Sequence, residues 1–225
     1  MVLANMNIPD ELRRIPERPA DDSLGDLRFR ALITDNDWFS LPKPVRRRFS
    51  KRLAGGRTVG YAGTVVHTRM SGAGWCLAQV ARLIGGPLPT SRDAGLPAVV
   101  TVTEEVSSGG QVWTRLYARR RGFPQIIHSV KRFAGATGIE EYLGRSFGIA
   151  LHVGVRNGAL VFRSAYYFFQ LFGRRFRLPA WLSPGMMTVT HSECGDGKFE
   201  FLLEVDHPRF GLLIRQSAVF RESVP

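Results

Sequence analysis

Apolar and polar residues alternate along most of the chain, most densely after residue 97. "PAVVTVTEEVSSGGQVWTRLYARR" reads as a strand, a Ser-Ser-Gly-Gly turn and a second strand. "SFGIALHVGVRNGALVFRSAYYFFQL" is the strongest hairpin signal, because an Asn-Gly pair between two alternating runs suits a two-residue turn. "PGMMTVTHSECGDGKFEFLLEVDHP" repeats the plan around Cys-Gly-Asp-Gly, "PQIIHSVKRFAG" continues the meander, and "FGLLIRQSAVFRE" is a last strand. Upstream, "RTVGYAGTVVHTRM" reads as a strand with Val59, Tyr61, Val65, His67 and Arg69 on one face. Two segments have helical period instead. Val45, Phe49 and Leu53 recur every four residues behind Pro42 and Pro44, and Trp75, Leu77, Val80, Leu83 and Ile84 form an apolar face ended by Gly85, Gly86 and Pro87.

These elements predict an α+β fold. The expectation is a strongly curved antiparallel β-sheet of roughly seven to nine strands, a half-barrel or barrel-like meander. One or two helices from the N-terminal half pack on it, with the 73–86 helix on its concave side or mouth. Residues 1–37, rich in proline and acidic residues, read as a polar N-terminal extension, and 38–225 as a single domain.

Composition adds two constraints. With 225 residues, 44% hydrophobic and 22% charged, the chain can bury a core without disulfides. Cys76 and Cys194 lie far apart, so reduced thiols and a cytoplasmic location are expected. The N-terminus has no apolar run of the secretory kind, and the apolar stretches are too short to span a bilayer as a helix. A net charge of +12, mostly from arginine, favours anionic partners: an anionic small molecule, an anionic membrane surface or nucleic acid. No RNP-type signature accompanies the basic and aromatic residues, so nucleic acid is the least expected of the three.

The segments "VRRRFSKRL", "GGPLP", "PAVVTVTE", "GGQVWTRLYARR", "FPQIIHSVKRF", "RLPAWLSPG" and "HPRFGLLIRQSAVFRE" together resemble a bacterial domain of unknown function, DUF4166, from about residue 38 to the end. Members of that family occur alone, or joined to a dehydrogenase-like nucleotide-binding domain or to small membrane-protein domains. The resemblance therefore implies an apolar or amphiphilic substrate, and a separate oxidoreductase as a possible partner. It brings no catalytic residues.

The chemistry-bearing residues gather in three places. In "QVWTRLYARRRGFPQIIHSVKRF", period two puts Trp113, Arg115, Tyr117 and Arg119 on one face, with His128 and Arg132 following on the next strand. This reads as a wall that holds an anionic head group, or else as a sheet exterior of arginine stacked on aromatic rings. An arginine turned into a cavity needs a partner, which Glu104, Glu105, Glu140 or Glu141 could supply. His128 and Glu141 are the candidates for acid–base work if the domain is an enzyme. The segment "AYYFFQLFGRRFRLPAWLSP" combines aromatic rings with Arg174, Arg175, Arg177 and Trp181, the composition of a lip for a membrane or a partner spanning 173–184, or of ordinary core packing with a basic edge. His67, His128, His152, His191 and His207 stand apart in sequence, and no nucleophile elbow, P-loop or dinucleotide fingerprint occurs, so neither a metal nor a cofactor is expected.

The leading expectation is a domain that binds an amphiphilic, anionic, lipid- or fatty-acid-like ligand in a curved-sheet cavity. The alternatives are an enzyme or accessory subunit of an oxidoreductase acting on such a ligand, and a module peripheral to the membrane.

Overall fold

The computed structural model describes residues 25–222 apart from positions 52, 56, 145 and 173, so most of the expected 1–37 extension lies outside the described residues. Eleven strands follow the alternating runs: β1 (Thr58–Met70), β2 (Pro97–Glu105), β3 (Gly110–Tyr117), β4 (Gln125–Arg132), β5 (Ile139–Tyr142), β6 (Phe147–Arg156), β7 (Ala159–Leu171), β8 (Arg174–Arg177), β9 (Met186–Gly195), β10 (Lys198–His207) and β11 (Gly211–Glu222). They pair antiparallel in the order β6-β5-β4-β3-β2-β1-β11-β10-β9-β7, and β7 also pairs with β6. That last pairing closes a ten-stranded barrel, leaving β8 as a short flap on β7. Closure removes the sheet edges that an open meander would leave unpaired. The Asn-Gly hairpin forms between β6 and β7, with Asn157 at φ 51° and Gly158 at φ 72°, the left-handed pair a tight hairpin turn requires.

Two bulges decide which residues face inward. The β1–β11 register slips between Val65 and His67, so Tyr61 and Val65 are buried inside the barrel but His67 and Arg69 turn out to solvent. The single face expected from Val59 to Arg69 is thus split. The β6–β7 register slips between Ala150 and Leu151.

Antiparallel strands send their connections to two ends. One end is plugged by α1 (Asp35–Ser40) and α2 (Lys43–Phe49). The Thr34 hydroxyl caps α1 by accepting from the Asp37 amide at 3.1 Å, and Pro44 lies in the first turn of α2. Trp38, Leu41, Val45 and Phe49 are buried there with Phe29, whose ring meets Phe49, Phe133 and Phe162 edge-on. Packing therefore begins well before residue 38, and Phe29 belongs to the core rather than to a polar extension. The plug also carries ions: Arg48 lies over Phe199, donates from Nε to His191 Nε2 at 3.0 Å and pairs with Glu193.

At the other end lies α3 (Gly72–Ala81), capped by the Ser71 hydroxyl accepting from the Gly74 amide. Its buried residues are the small ones, Gly74, Ala78 and Ala81. A Cβ on Gly74 would collide with the Leu213 carbonyl, so only glycine lets the helix approach β11 this closely. Trp75, Val80 and Leu83, expected on a packed apolar face, are instead exposed around this open end. Cys76 and Cys194 are free and exposed. Among the described residues no helix is long and apolar enough to cross a membrane.

Candidate functional site

Inside the barrel is a cavity of about 290 Å³. It would hold on the order of ten waters at ~30 Å³ each, near the lower end of the ~300–1,000 Å³ usual for ligand pockets. Its apolar wall includes Ile149, Phe162, Tyr167, Phe201 and Leu203, and α3 and the loop after it contribute Leu77, Val80, Ile84 and Leu88. Val80 and Leu182 both line the cavity and are largely exposed, which places its opening between α3 and the 180–182 turn.

The polar part of the wall comes from three adjacent strands. Trp113, Arg115 and Tyr117 alternate inward on β3, Ser129 and Lys131 on β4, and Glu141 on β5. Register does the rest: Lys131 sits opposite Glu141, and Trp113 opposite Ser129. Arg115 donates from Nη2 to Glu141 Oε1 and from Nη1 to Ser129 Oγ, each at 3.2 Å. Lys131 Nζ lies 3.1 Å from Glu141 Oε2 and 4.6 Å from the centre of the Trp113 ring. Two cations thus share one carboxylate, which leaves one surplus positive charge on the wall of an apolar cavity. Lys131 Nζ has three donors, and among the described residues Glu141 alone accepts from it. The Tyr117 hydroxyl also has no hydrogen-bond partner among the described residues.

The protonation states follow from this packing. Burial pushes the Lys131 ammonium down to about 8, against the pull of Glu141 and with help from Arg115. Burial alone would raise Glu141, but the charges of Lys131 and Arg115 outweigh it and hold the carboxyl at about 2. Burial raises Tyr117. Glu141 is therefore a firm carboxylate near neutrality and a poor proton acceptor.

The structure separates several residues that the sequence pattern grouped. His128 and Arg132 lie on the outer face of β4, because the inward phase of that strand is set by Ile127, Ser129 and Lys131. His128 bonds Thr114 at 3.0 Å in solvent, while Arg132 pairs with Glu105 at 3.1 Å and covers the Tyr142 ring. A barrel wall thus divides His128 from Glu141, and the acid–base pairing expected of them has no common space. Arg119 lies beyond the end of β3, donates to Thr90 Oγ1 and does not line the cavity. Lys131 went unnoticed in the sequence; the clue was its phase with the apolar Ile127, two strand repeats away.

The basic lip divides too. Arg174, Arg177 and Trp181 are exposed near the mouth. Arg175 folds back over Phe168 to the fully buried Glu140, which also accepts from the Tyr142 hydroxyl at 2.9 Å. It pins β8 to the barrel wall and is not a free surface charge. Among the described residues no group of three or more His, Cys, Asp or Glu side chains is placed to hold a metal ion.

A closed antiparallel barrel with one plugged end, one open end and an apolar cavity belongs to the architectural class that can enclose a small ligand. Residues 41–220 match the family described as "Domain of unknown function (DUF4166)", and the chain belongs to that family. No curated protein and no solved structure matches it.

Proposed function

We propose that the barrel binds a small amphiphile with an anionic head, such as a short fatty acid. Its head sits against Arg115, Lys131 and Tyr117, and its chain lies along Phe162, Tyr167, Phe201 and Leu203. The observation that carries this reading is the surplus positive charge. A buried cation without full compensation is costly, commonly by several kcal/mol. Here two cations share Glu141 in a cavity otherwise lined by apolar groups. A ligand carboxylate would neutralise the surplus and accept the spare N–H donors of Lys131. The cavity's modest size favours a short single chain over a whole phospholipid.

The enzymatic alternative loses the pair that motivated it, since His128 is outside and Glu141 is held ionised by two cations. Binding without catalysis needs neither group to move a proton.

The test is calorimetric titration with decanoate and with decanol, which share a chain and differ in charge. The wild-type protein should prefer decanoate. Lys131 loses its charge as pH rises through about 8, so decanoate affinity should fall between pH 7 and 9 while decanol stays level. Arg115→Gln leaves the Lys131–Glu141 pair intact and removes the surplus, and should weaken decanoate roughly tenfold or more, the scale of a lost charged hydrogen bond. Equal affinity for acid and alcohol, or a variant that binds decanoate as well as wild type, would sink the reading.

A further inference from the structure

We infer that the open end of the barrel docks on an anionic lipid surface, with aromatic and aliphatic side chains entering the interface and arginines meeting the head groups. The inference goes beyond the cavity reading and rests on different residues. Connections after β1, β3, β7 and β10 all emerge at the mouth end, because successive antiparallel strands alternate direction. Each of these connections carries a large apolar side chain held out in solvent. Leu83 is 87% exposed, Phe123 91%, Phe172 95%, Trp181 76% and Phe210 65%. Scattered exposed apolar residues need no explanation, but one on each of several loops at a single end does. Some sit at the plugged end as well, Phe39 and Val106 among them, but there Phe39 already packs under the guanidiniums of Arg30 and Arg46.

Two local features show how this surface is built. On α3 the fully buried residues are small ones, Leu77 is half-buried against the core, and Trp75 and Val80 stay exposed, whereas an ordinary packed helix buries its largest apolar side chains. At the tip of the β7–β8 hairpin, Phe172 has φ 49°. A bulky residue rarely adopts that conformation, and turn positions of this kind are usually filled by Gly, Asn or Asp. Arg175 anchors β8 to Glu140 and Tyr142, so the aromatic tip is carried on a fixed flap.

Charge distinguishes a lipid surface from other occupants. Arg82, Arg92, Arg121, Arg174, Arg177 and Arg209 are exposed at the mouth end, and among the described residues none of them is in an ion pair. Carboxylates are fewer at this end: Asp93 pairs with Arg120, Glu204 pairs with Arg215 and Asp206 is half-exposed, whereas Asp35, Asp37, Glu104, Asp196 and Glu222 are exposed or half-exposed at the other end. A second copy of the chain meeting this face would set like charges against each other. An anionic bilayer would attract it, and interfacial aromatic rings beside arginines are the usual composition of such contacts.

The experiment is co-sedimentation with vesicles of equal parts phosphatidylcholine and phosphatidylglycerol, compared with pure phosphatidylcholine. Wild type should bind the anionic vesicles at least tenfold more tightly and be partly released by salt. Arg174→Gln with Arg177→Gln should weaken binding about 25-fold, at about fivefold per charge near the surface. Phe172→Ser with Trp181→Ser should also weaken it tenfold or more, and both pairs lie on exposed positions that should leave melting unchanged. Decanoate affinity in solution should be the same in all of them, whereas Arg115→Gln should leave vesicle binding intact, so the two proposals fail separately. Equal binding to both vesicles, no loss in either double variant, or a mouth-dependent dimer with no vesicle binding would overturn the inference.

Discussion

An imidazole walled in by Phe49, Phe199 and Phe201 and facing a guanidinium must stay neutral. His191 is in that position: burial first, and the Arg48 charge second, depress its pKa well below 6.5. Arg48 Nε donates to Nε2, so the ring proton sits on Nδ1, which has no partner. The sign of the pH effect follows. Below pH 6.5 the unfolded chain protonates this residue and the folded barrel does not, so stability falls as pH falls, by up to about 1.4 kcal/mol per pH unit. Glu141 adds no slope in that window, because its loss of stability comes only as pH drops from 4.5 towards about 2. His191→Gln retains an acceptor for Arg48 but cannot titrate. Urea midpoints measured from pH 7 to pH 5 should decline less in the variant than in wild type; identical slopes would assign the acid sensitivity to other groups.

At the scale of elements, two glycines of α3 in the same turn make a controlled comparison. A Cβ on Gly72 meets nothing within 4 Å, while one on Gly74 collides with the Leu213 carbonyl of β11. Gly72→Ala should therefore be neutral or stabilise by up to about 1 kcal/mol through helix propensity. Gly74→Ala should destabilise by roughly 1–3 kcal/mol, because backbone must yield to fit it. Thermal unfolding of the two variants checks the contrast, and similar melting points would mean that α3 is not seated on β11 as described. The same helix shows what alternation and period can and cannot reveal. The helix itself and the hairpins at Ser107, Asn157 and Asp196 were legible, because turn residues and apolar spacing are local properties. Which face of α3 packs was not, because closeness to β11 rewards small residues over large ones. The bulge between Val65 and His67 inverted the reading of β1, since one extra residue reverses a period of two. Short β5 and β8 escaped notice for lack of length, and β5 carries both Glu140 and Glu141. In the site itself, Trp113, Arg115 and Tyr117 were placed together by their own alternation. Lys131 and His128 were exchanged because the phase of β4 is set by its neighbours across the barrel.

For the whole molecule, closure of the barrel leaves two ends that must be sealed or used. At the plugged end the seal is built from segments on both sides of residue 41, where the family match begins. Phe29 and Trp38 lie before that boundary and are almost wholly buried, with Phe29 in contact with Phe49 and Phe162. Asp26 adds a polar tie through Arg28, whose guanidinium also reaches the Gly109 carbonyl in the β2–β3 turn. Removing residues before 41 would therefore uncover Phe49 and the ring cluster around His191, not trim a tail. Losing a buried aromatic side chain costs about 3–5 kcal/mol, and two such losses rival the 5–15 kcal/mol of a typical domain. A chain starting at residue 41 should consequently be insoluble or molten, lacking a cooperative thermal transition, whereas one starting at residue 25 keeps the plug and should unfold cooperatively. If the shorter chain unfolds cooperatively within a few degrees of the full one, the plug contributes little and the barrel wall holds itself closed. The expected outcome instead makes the sealed end the structural half of the molecule. The cavity mouth is then free to keep apolar and cationic side chains in solvent, an arrangement that stability alone would not select.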